Sequence, residues 1–166
     1  DPLFYTAVKR TLAYTVVDVP LSVIGSLLAA AMLNQALRGN SIYRALFFVP
    51  SLTPAVAAGV LWKYAFQPEF GLINSFLWKI FRIQGPKWIY GMNWAIPSLI
   101  LVDLWSTIGG GRMIVFLAGL QGIPRPLYES AEIDGAGPWK SFLHITLPMI
   151  TPAMFFNLIL GFIRAF

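Results

Sequence analysis

Long apolar runs alternate with short segments rich in polar residues, proline or glycine along this chain. A helix needs about 20 largely apolar residues to cross the hydrocarbon core of a bilayer. Four stretches approach that length, and we predict membrane spans over residues 11–37, 43–66, 94–120 and 147–166. The pattern therefore predicts an all-α polytopic membrane protein with about four transmembrane spans.

Two of these spans contain residues that interrupt helices. Pro50 and Pro54 remove backbone donors from the second span, so we expect a bend or break there. Gly109, Gly110 and Gly111 stand in the middle of the third span, at a cost of about 1 kcal/mol each relative to alanine. Broken backbone at membrane depth is tolerated where it is buried in protein or lines a cavity. We expect the glycine break to lie in one of these two settings.

The first span carries small residues at intervals of four. Ser22, Ser26 and Ala30 would share one face of a helix and would let a second helix approach closely. Small residues are also common in membrane helices generally, so the spacing leaves both interpretations open.

Residues 67–93 have a different pattern, broken by prolines and glycines. Leu72, Phe76 and Ile80 recur at intervals of four, whereas the basic residues of this segment lie off that stripe. This spacing predicts a short amphipathic helix that lies on the membrane face and is too short to span.

The connection between the third and fourth spans, residues 121–146, predicts a helix of about two turns from about Pro126 to Asp134. Proline suits the first turn of a helix, Gly135 suits its end, and Pro138 prevents the helix from resuming. Glu129 and Glu132 are expected near the positive end of the helix dipole, where each carboxylate is favoured by ~0.3–1 kcal/mol.

The composition supports a membrane protein and excludes several other classes. Charged residues make up 11% of the chain, against about 25% in an ordinary soluble domain. The absence of cysteine excludes disulfides and thiolate chemistry. The formal charge of +5 suits a protein beside anionic lipid, but the basic residues are too dispersed to indicate nucleic-acid binding.

The sequence does not favour an enzyme. Glu129 and Glu132 lie three residues apart and could form an acid/base pair, but the predicted helix is exposed and has no apolar pocket to raise one pKa. Metalloprotease, nucleophile-elbow and phosphate-loop motifs are absent from the sequence. His144 is the only histidine, which excludes a usual zinc site. We therefore expect no catalytic residues, no metal and no cofactor in this chain.

Charged residues inside the predicted spans are candidates for a solute pathway. An intramembrane arginine such as Arg112 costs from about 2.5 kcal/mol upward and usually has a function. Asp103 lies nine residues earlier, about 13 Å along a straight helix, which is long for a direct pair, although the glycine break could shorten the distance. The structural alternative is an ion pair of Arg112 with Asp18 or with another subunit, and Arg164 is expected to snorkel to an interface. The candidate pathway residues are Asp103, Trp105, Gly109, Gly110, Gly111 and Arg112.

The connecting segment resembles the EAA motif of binding-protein-dependent ABC importer permeases. That motif reads Glu-Ala-Ala, three residues, Gly, nine residues and Ile-x-Leu-Pro. This chain has Glu129-Ser130-Ala131, Gly135 and Ile145-Thr146-Leu147-Pro148 at the same spacing, with Ser130 as the one departure. Further similarity to the carbohydrate-uptake branch, of the maltose and glycerol-phosphate type, lies in Leu37-Arg38-Gly39, Tyr43-Arg44, Phe47-Phe48-Val49-Pro50, Leu61-Trp62, Gly71-Leu72-Ile73-Asn74, Ile108-Gly109, Phe116-Leu117-Ala118-Gly119-Leu120 and Ile123-Pro124.

The resemblance implies a type I importer permease (MetI-like) fold, of which this chain would be an incomplete fragment in a prokaryotic cytoplasmic membrane. It implies three protein partners: a cytoplasmic ATPase that holds ATP and Mg²⁺, a second permease subunit, and an extracytoplasmic solute-binding protein. The implied ATPase-coupling residues are Glu129, Ser130, Ala131, Asp134, Gly135, Ile145, Leu147 and Pro148. The alternative is a subunit of an ion-coupled secondary transporter or a channel.

The motif also sets the expected orientation, with residues 121–146 cytoplasmic and residues 67–93 external. The distribution of basic residues runs against this assignment under the positive-inside rule. Four would be inside, namely Arg38, Arg44, Arg125 and Lys140. Six would be outside, namely Lys9, Arg10, Lys63, Lys79, Arg82 and Lys87. The orientation therefore depends on the motif.

Overall fold

The computed structural model describes residues 1–35 and 40–165, and these contain helices and no strand. The helices are α1 (Pro2–Leu33), α2 (Asn40–Leu52), α3 (Ala55–Ala65), α4 (Leu72–Phe81), α5 (Ala95–Thr107), α6 (Gly111–Gln121), α7 (Arg125–Ile133), α8 (Pro138–Ser141) and α9 (Leu147–Ala165). A π-helical turn, Phe142–Thr146, joins α8 to α9. The predicted end of the first span, with Arg38 and Gly39, lies outside the described residues, as does Phe166.

Two of these helical segments are long and apolar enough to cross a membrane, namely Pro2–Leu33 and Pro138–Ala165. Two further pairs of helices reach this length only together: α2 and α3 meet at 93°, and α5 and α6 meet at 51°. The described part of the chain therefore holds two candidate spans, or up to four if each bent pair is one span. The predicted all-α polytopic fold is confirmed.

The bends fall where the sequence interrupts its helices. α2 ends at Leu52 and α3 begins at Ala55, after Pro54, so the predicted span 43–66 is two short helices and not one straight helix. The predicted span 94–120 likewise breaks at its glycines, because α5 ends at Thr107 and α6 begins at Gly111.

The core lies between α1, α6 and α9. Ser22, Ser26 and Ala30 of α1 are fully buried in it, which settles the question of the small-residue face in favour of close packing. Each serine hydroxyl donates within its own helix, Ser22 to the Val19 carbonyl at 3.0 Å and Ser26 to the Ser22 carbonyl at 2.7 Å. Because these hydroxyls are satisfied locally, the face can pack without a buried polar cost. The core residues are Val19, Val23, Leu27, Ala29, Ala30, Leu33, Met113, Phe116, Leu117, Leu120, Ile123 and Ile150.

The segment between α3 and α5 is organised around Asn74 of α4. Its amide nitrogen donates to the carbonyls of Pro68 at 3.0 Å and Pro86 at 3.4 Å. Its amide oxygen accepts a hydrogen bond from the indole of Trp88 at 2.6 Å. The Trp88 ring in turn lies 5.3 Å from the ring of buried Phe66. One polar side chain thus holds the predicted amphipathic helix against the end of α3.

The last helix begins earlier than the sequence pattern predicts. The prediction that Pro138 prevents a helix from resuming is wrong, because Pro138 starts α8, which continues through the π-helical turn into α9. Proline is favoured at the first position of a helix, where its missing N–H costs nothing. Pro148 lies just beyond the turn and has no N–H for the carbonyl four residues earlier. The backbone widens there, and the Leu147 N–H bonds to the Phe142 carbonyl five residues back.

Candidate functional site

α7 stands between α6 and α8 as a short helix whose C-terminal end is held by two hydrogen bonds. The Gly135 N–H donates to the Glu132 carbonyl at 3.0 Å, and the Ala136 N–H donates to the Ala131 carbonyl at 2.8 Å. This pair of bonds is a Schellman cap, which needs a left-handed residue after the C-cap Asp134. Gly135 supplies it with φ of +74°. Gly135 is therefore required for its backbone conformation.

The carboxylates of α7 do not lie where the dipole argument placed them. The helix begins at Arg125, so Glu129 is its fifth residue and Glu132 its eighth, and the first turn holds no acidic residue. The expectation that both carboxylates benefit from the positive end of the dipole is wrong, because that effect fades within the first turn. Both side chains are exposed.

The other predicted coupling residues of α7 differ in their surroundings. Ser130 is exposed, and its hydroxyl donates to the Pro126 carbonyl at 2.8 Å within the helix. Ala131 is half-buried, whereas Asp134 and Gly135 are exposed. A Cβ added at Gly135 would meet no atom within 4 Å, so this end of α7 is open. The open end leaves room for another protein to approach.

The Ile-x-Leu-Pro end of the motif lies on the helix that returns into the core. Ile145 packs against the core and Leu147 is half-buried, whereas Pro148 is exposed. Thr146 is buried, and its hydroxyl oxygen lies 2.8 Å from the Tyr128 hydroxyl oxygen of α7. Sequence reasoning missed Tyr128 and Thr146. Their one signal was that each adjoins a motif residue, Glu129 and Ile145 respectively.

A cavity of about 670 Å³ lies among α2, α3, α5, α6 and α9. Of the predicted pathway residues, Trp105, Gly110, Gly111 and Arg112 line it, and Asp103 and Gly109 do not. Gly109 instead packs against α2, where a Cβ would overlap the Phe47 carbonyl oxygen. The rest of the lining is Pro50, Ser51, Thr53, Ala55, Ala58, Gly59, Val102, Ser106, Thr107, Val115, Phe156, Asn157, Leu160 and Arg164.

Charged side chains from four helices meet beside this cavity. Arg112 of α6 donates a hydrogen bond to the Ser22 hydroxyl of α1. Arg164 of α9 pairs with Asp103 of α5 at 3.5 Å between Nη2 and Oδ1, and its side chain is still 64% exposed, so the snorkelling of Arg164 to an interface stays a prediction. Asp18 is buried, and one of its carboxylate oxygens has no hydrogen-bond partner within the described residues. Two carboxylates and two guanidinium groups thus offset one another in charge.

These four charged residues also line a smaller cavity of about 110 Å³, together with Tyr14. The partner that the structure gives Asp103 is Arg164 of α9, a basic residue that the sequence spacing within the third span did not indicate. Over residues 1–35 and 40–165, no group of three or more metal-ligating side chains is close enough to hold an ion.

An aromatic series leads from the larger cavity toward the segment that contains α4. The Trp105 ring meets the Trp62 ring edge to face at 5.6 Å, and Trp62 stacks on Phe66 at 5.1 Å. Trp88 then lies between Phe66 and Trp94, at 5.3 Å and 5.7 Å. Trp105 also lines the cavity, so its ring gives the cavity an apolar surface.

Residues 21–166 match the family described as binding-protein-dependent transport system inner membrane component. The chain is 38% identical over 167 residues to the probable ABC transporter permease protein YesP of Bacillus subtilis, covering 100% of this chain and 53% of that protein. It is 40% identical over 169 residues to the sn-glycerol-3-phosphate transport system permease protein UgpA of Yersinia pestis, covering 100% of this chain and 55% of that protein. The chain thus spans about half the length of the curated relatives it matches.

The fold is similar to that of a solved bacterial ABC transporter involved in the import of the acidic polysaccharide alginate. The TM-score is 0.87 at 26% identity, over 97% of this chain and 56% of that one. The relatives are named as transport permeases, which agrees with the expectation of a transport subunit and not an enzyme. The resemblance carried by the EAA motif is confirmed, and this chain belongs to the family of binding-protein-dependent transport system inner membrane components.

Proposed function

We propose that this chain is part of a permease subunit of an ATP-driven importer, coupled through α7 to a cytoplasmic ATPase. The observation that carries the proposal is the position of α7, a capped helix with exposed carboxylates between two helices of the core. A rigid short helix transmits a displacement better than a flexible loop. Glu129 and Glu132 are the exposed charges that a basic groove of the ATPase would hold.

The proposed solute is a carbohydrate or a related polyol. The cavity combines the Trp105 ring with hydrogen-bonding groups, including Asn157, Ser106 and Arg112, which suits a ring or chain bearing hydroxyl groups. Two relatives support this class, because their names refer to sn-glycerol-3-phosphate and to alginate. The cavity would form half of the translocation pathway.

The proposal includes three partners and a location. A second permease subunit would supply the other half of the pathway, and an extracytoplasmic binding protein would deliver the solute. The alginate ABC transporter has also been solved in complex with its oligosaccharide-bound periplasmic protein, which supports the last of these. ATP and Mg²⁺ would be held by the ATPase and not by this chain. The location would be the cytoplasmic membrane of a prokaryote.

Charge reversal at Glu129 tests the coupling role. We expect Glu129→Lys to lower retention of the ATPase subunit on the purified permease complex by more than about tenfold, because like charges at an interface cost several kcal/mol. The measurement is co-purification of the ATPase, with the amount of inserted permease determined in parallel. Glu69→Lys is the matched control, since Glu69 is also exposed but lies between α3 and α4.

Normal ATPase retention and normal uptake with Glu129→Lys would contradict the proposal. Equal losses with Glu129→Lys and Glu69→Lys would also contradict it, because the effect would then follow charge in general and not α7.

A further inference from the structure

The hydrogen bond between Tyr128 and Thr146 connects the helix that carries the coupling carboxylates to the helix that returns into the core. The two hydroxyl oxygens are 2.8 Å apart, and either hydroxyl can donate. Tyr128 directly precedes Glu129 on α7, and Thr146 is the last residue of the π-helical turn before α9. The bond therefore joins an exposed motif helix to the start of a long helix of the core.

The surroundings make this a firm contact. Thr146 is only 7% exposed, and the half-buried Tyr128 packs against the core formed by α1, α6 and α9. Loss of either hydroxyl would leave the other without its partner in a mostly dry site. Other side-chain hydrogen bonds in this region are local, such as Ser130 to the Pro126 carbonyl and Ser141 to the Gly137 carbonyl. Tyr128 differs from these by reaching across 18 residues of sequence.

Thr146 lies at the least regular point of the returning helix. The Leu147 N–H skips the usual acceptor and bonds to Phe142, so the backbone there is wider than an α-helix. Such π-helical turns occur often at functional sites. A force on Thr146 would act where the backbone already departs from regular pairing, and α9 continues from there to Asn157 and Arg164 in the cavity wall.

We propose that Tyr128 and Thr146 form the joint through which a displacement of α7 reaches α9 and the cavity. Tyr128 is then a positioning residue that acts through Thr146 and touches neither solute nor nucleotide. This inference rests on the proposed function, because it needs an ATPase that moves α7. It adds the route by which that motion enters the pathway.

The test measures solute imported and ATP hydrolysed by the same preparation of the complete complex in proteoliposomes. The labelled probe is the solute released from the complex's own binding protein and identified by mass spectrometry. We expect Tyr128→Phe and Thr146→Val each to lower solute imported per ATP hydrolysed about fivefold, the factor equivalent to the ~1 kcal/mol of a neutral hydrogen bond. The ATPase should stay bound. The double variant should lose no more than either single variant, because both remove the same bond.

Two control variants separate the joint from a general effect of lost hydroxyls. Thr151→Val removes a hydroxyl that donates to the Leu147 carbonyl within α9, so the solute imported per ATP hydrolysed should be unchanged. Thr146→Ser keeps the hydroxyl and should leave the solute imported per ATP hydrolysed unchanged.

If Tyr128→Phe left the solute imported per ATP hydrolysed unchanged, the proposed joint would be wrong. It would also be wrong if the double variant lowered that quantity by the product of the two single effects. Loss of the ATPase from the Tyr128→Phe complex, or failure of that complex to assemble, would also overturn it, because the bond would then serve docking or assembly. A different result would contradict the proposed function itself: an unsubstituted complex that imports solute without hydrolysing ATP.

Discussion

Glu132 occupies a position on α7 where helix electrostatics disfavours a carboxylate. It lies in the last turn, near the negative end of the dipole, while Arg125 begins the helix at the positive end. Both charges oppose the arrangement that would stabilise an isolated helix. Charges placed against the helix dipole, with no local stabilisation in return, are expected at functional sites. The placement of charge on α7 therefore favours an external partner over a role in folding.

We expect α7 to need glycine at position 135 for its left-handed backbone conformation and not because a side chain would clash there. We expect Gly135→Ala to destabilise the cap of α7 by ~1 kcal/mol, because alanine is strained at φ of +74°. Hydrogen exchange of the Gly135 and Ala136 region in the purified complex measures this as faster exchange over α7.

Gly137 offers the matched control for that substitution. A Cβ at either glycine would meet no atom within 4 Å, but Gly137 has an ordinary φ of −69°. Gly137→Ala should leave exchange over α7 unchanged. Equal acceleration by both substitutions would show that the loss of glycine as such, and not the left-handed conformation, disturbs the helix.

The sequence placed the residues of the EAA motif on the fold better than it placed the candidate pathway residues around the cavity. The EAA motif has fixed spacing over adjacent segments, so Glu129, Gly135 and Ile145 could be placed without knowing the tertiary structure. The pairing of Asp103 with Arg164 joins α5 to α9, which are far apart in sequence. No periodicity within either helix indicates such a pair.

At the scale of elements, breaks in the spans were predictable but their angles were not. Proline removes a backbone donor and glycine is a poor helix former, and the structure bends near Pro54 and Gly109. The angles of 93° and 51° depend on what each half packs against. The continuation of the last helix back to Pro138 was also missed, since proline can both end one helix and begin the next.

Of the three glycines between α5 and the start of α6, we expect Gly109 to matter most for the stability of the fold. Its added Cβ would overlap the Phe47 carbonyl oxygen, which belongs to the backbone of α2 and cannot rotate away. We expect Gly109→Ala to lower stability by about 1–3 kcal/mol, the usual range for overpacking. The melting temperature of the purified complex measures the loss.

Gly111→Ala is the control for the Gly109 substitution, because a Cβ at Gly111 meets no atom within 4 Å and the residue begins α6. The melting temperature should stay the same or rise slightly, since alanine is the better helix former. A lower melting temperature with Gly111→Ala than with Gly109→Ala would contradict the packing of α5 against α2.

At the scale of the whole molecule, α7 and the larger cavity lie toward opposite ends of α6. α7 presents exposed charges at one end of α6, while the cavity lies beside the broken junction of α5 and α6. α9 adjoins both, because it begins next to the Thr146 contact and carries Arg164 of the cavity wall near its other end. Under the proposed function, motion received at α7 would change the pathway at the cavity.

The most direct test of ATP-driven import is uptake by the complete complex in proteoliposomes, with ATP on the ATPase side and the loaded binding protein on the other. We expect solute accumulation that requires both ATP and the binding protein and that does not depend on a proton or sodium gradient. Accumulation driven by an ion gradient, without ATP or the ATPase subunit, would contradict it and favour a secondary transporter.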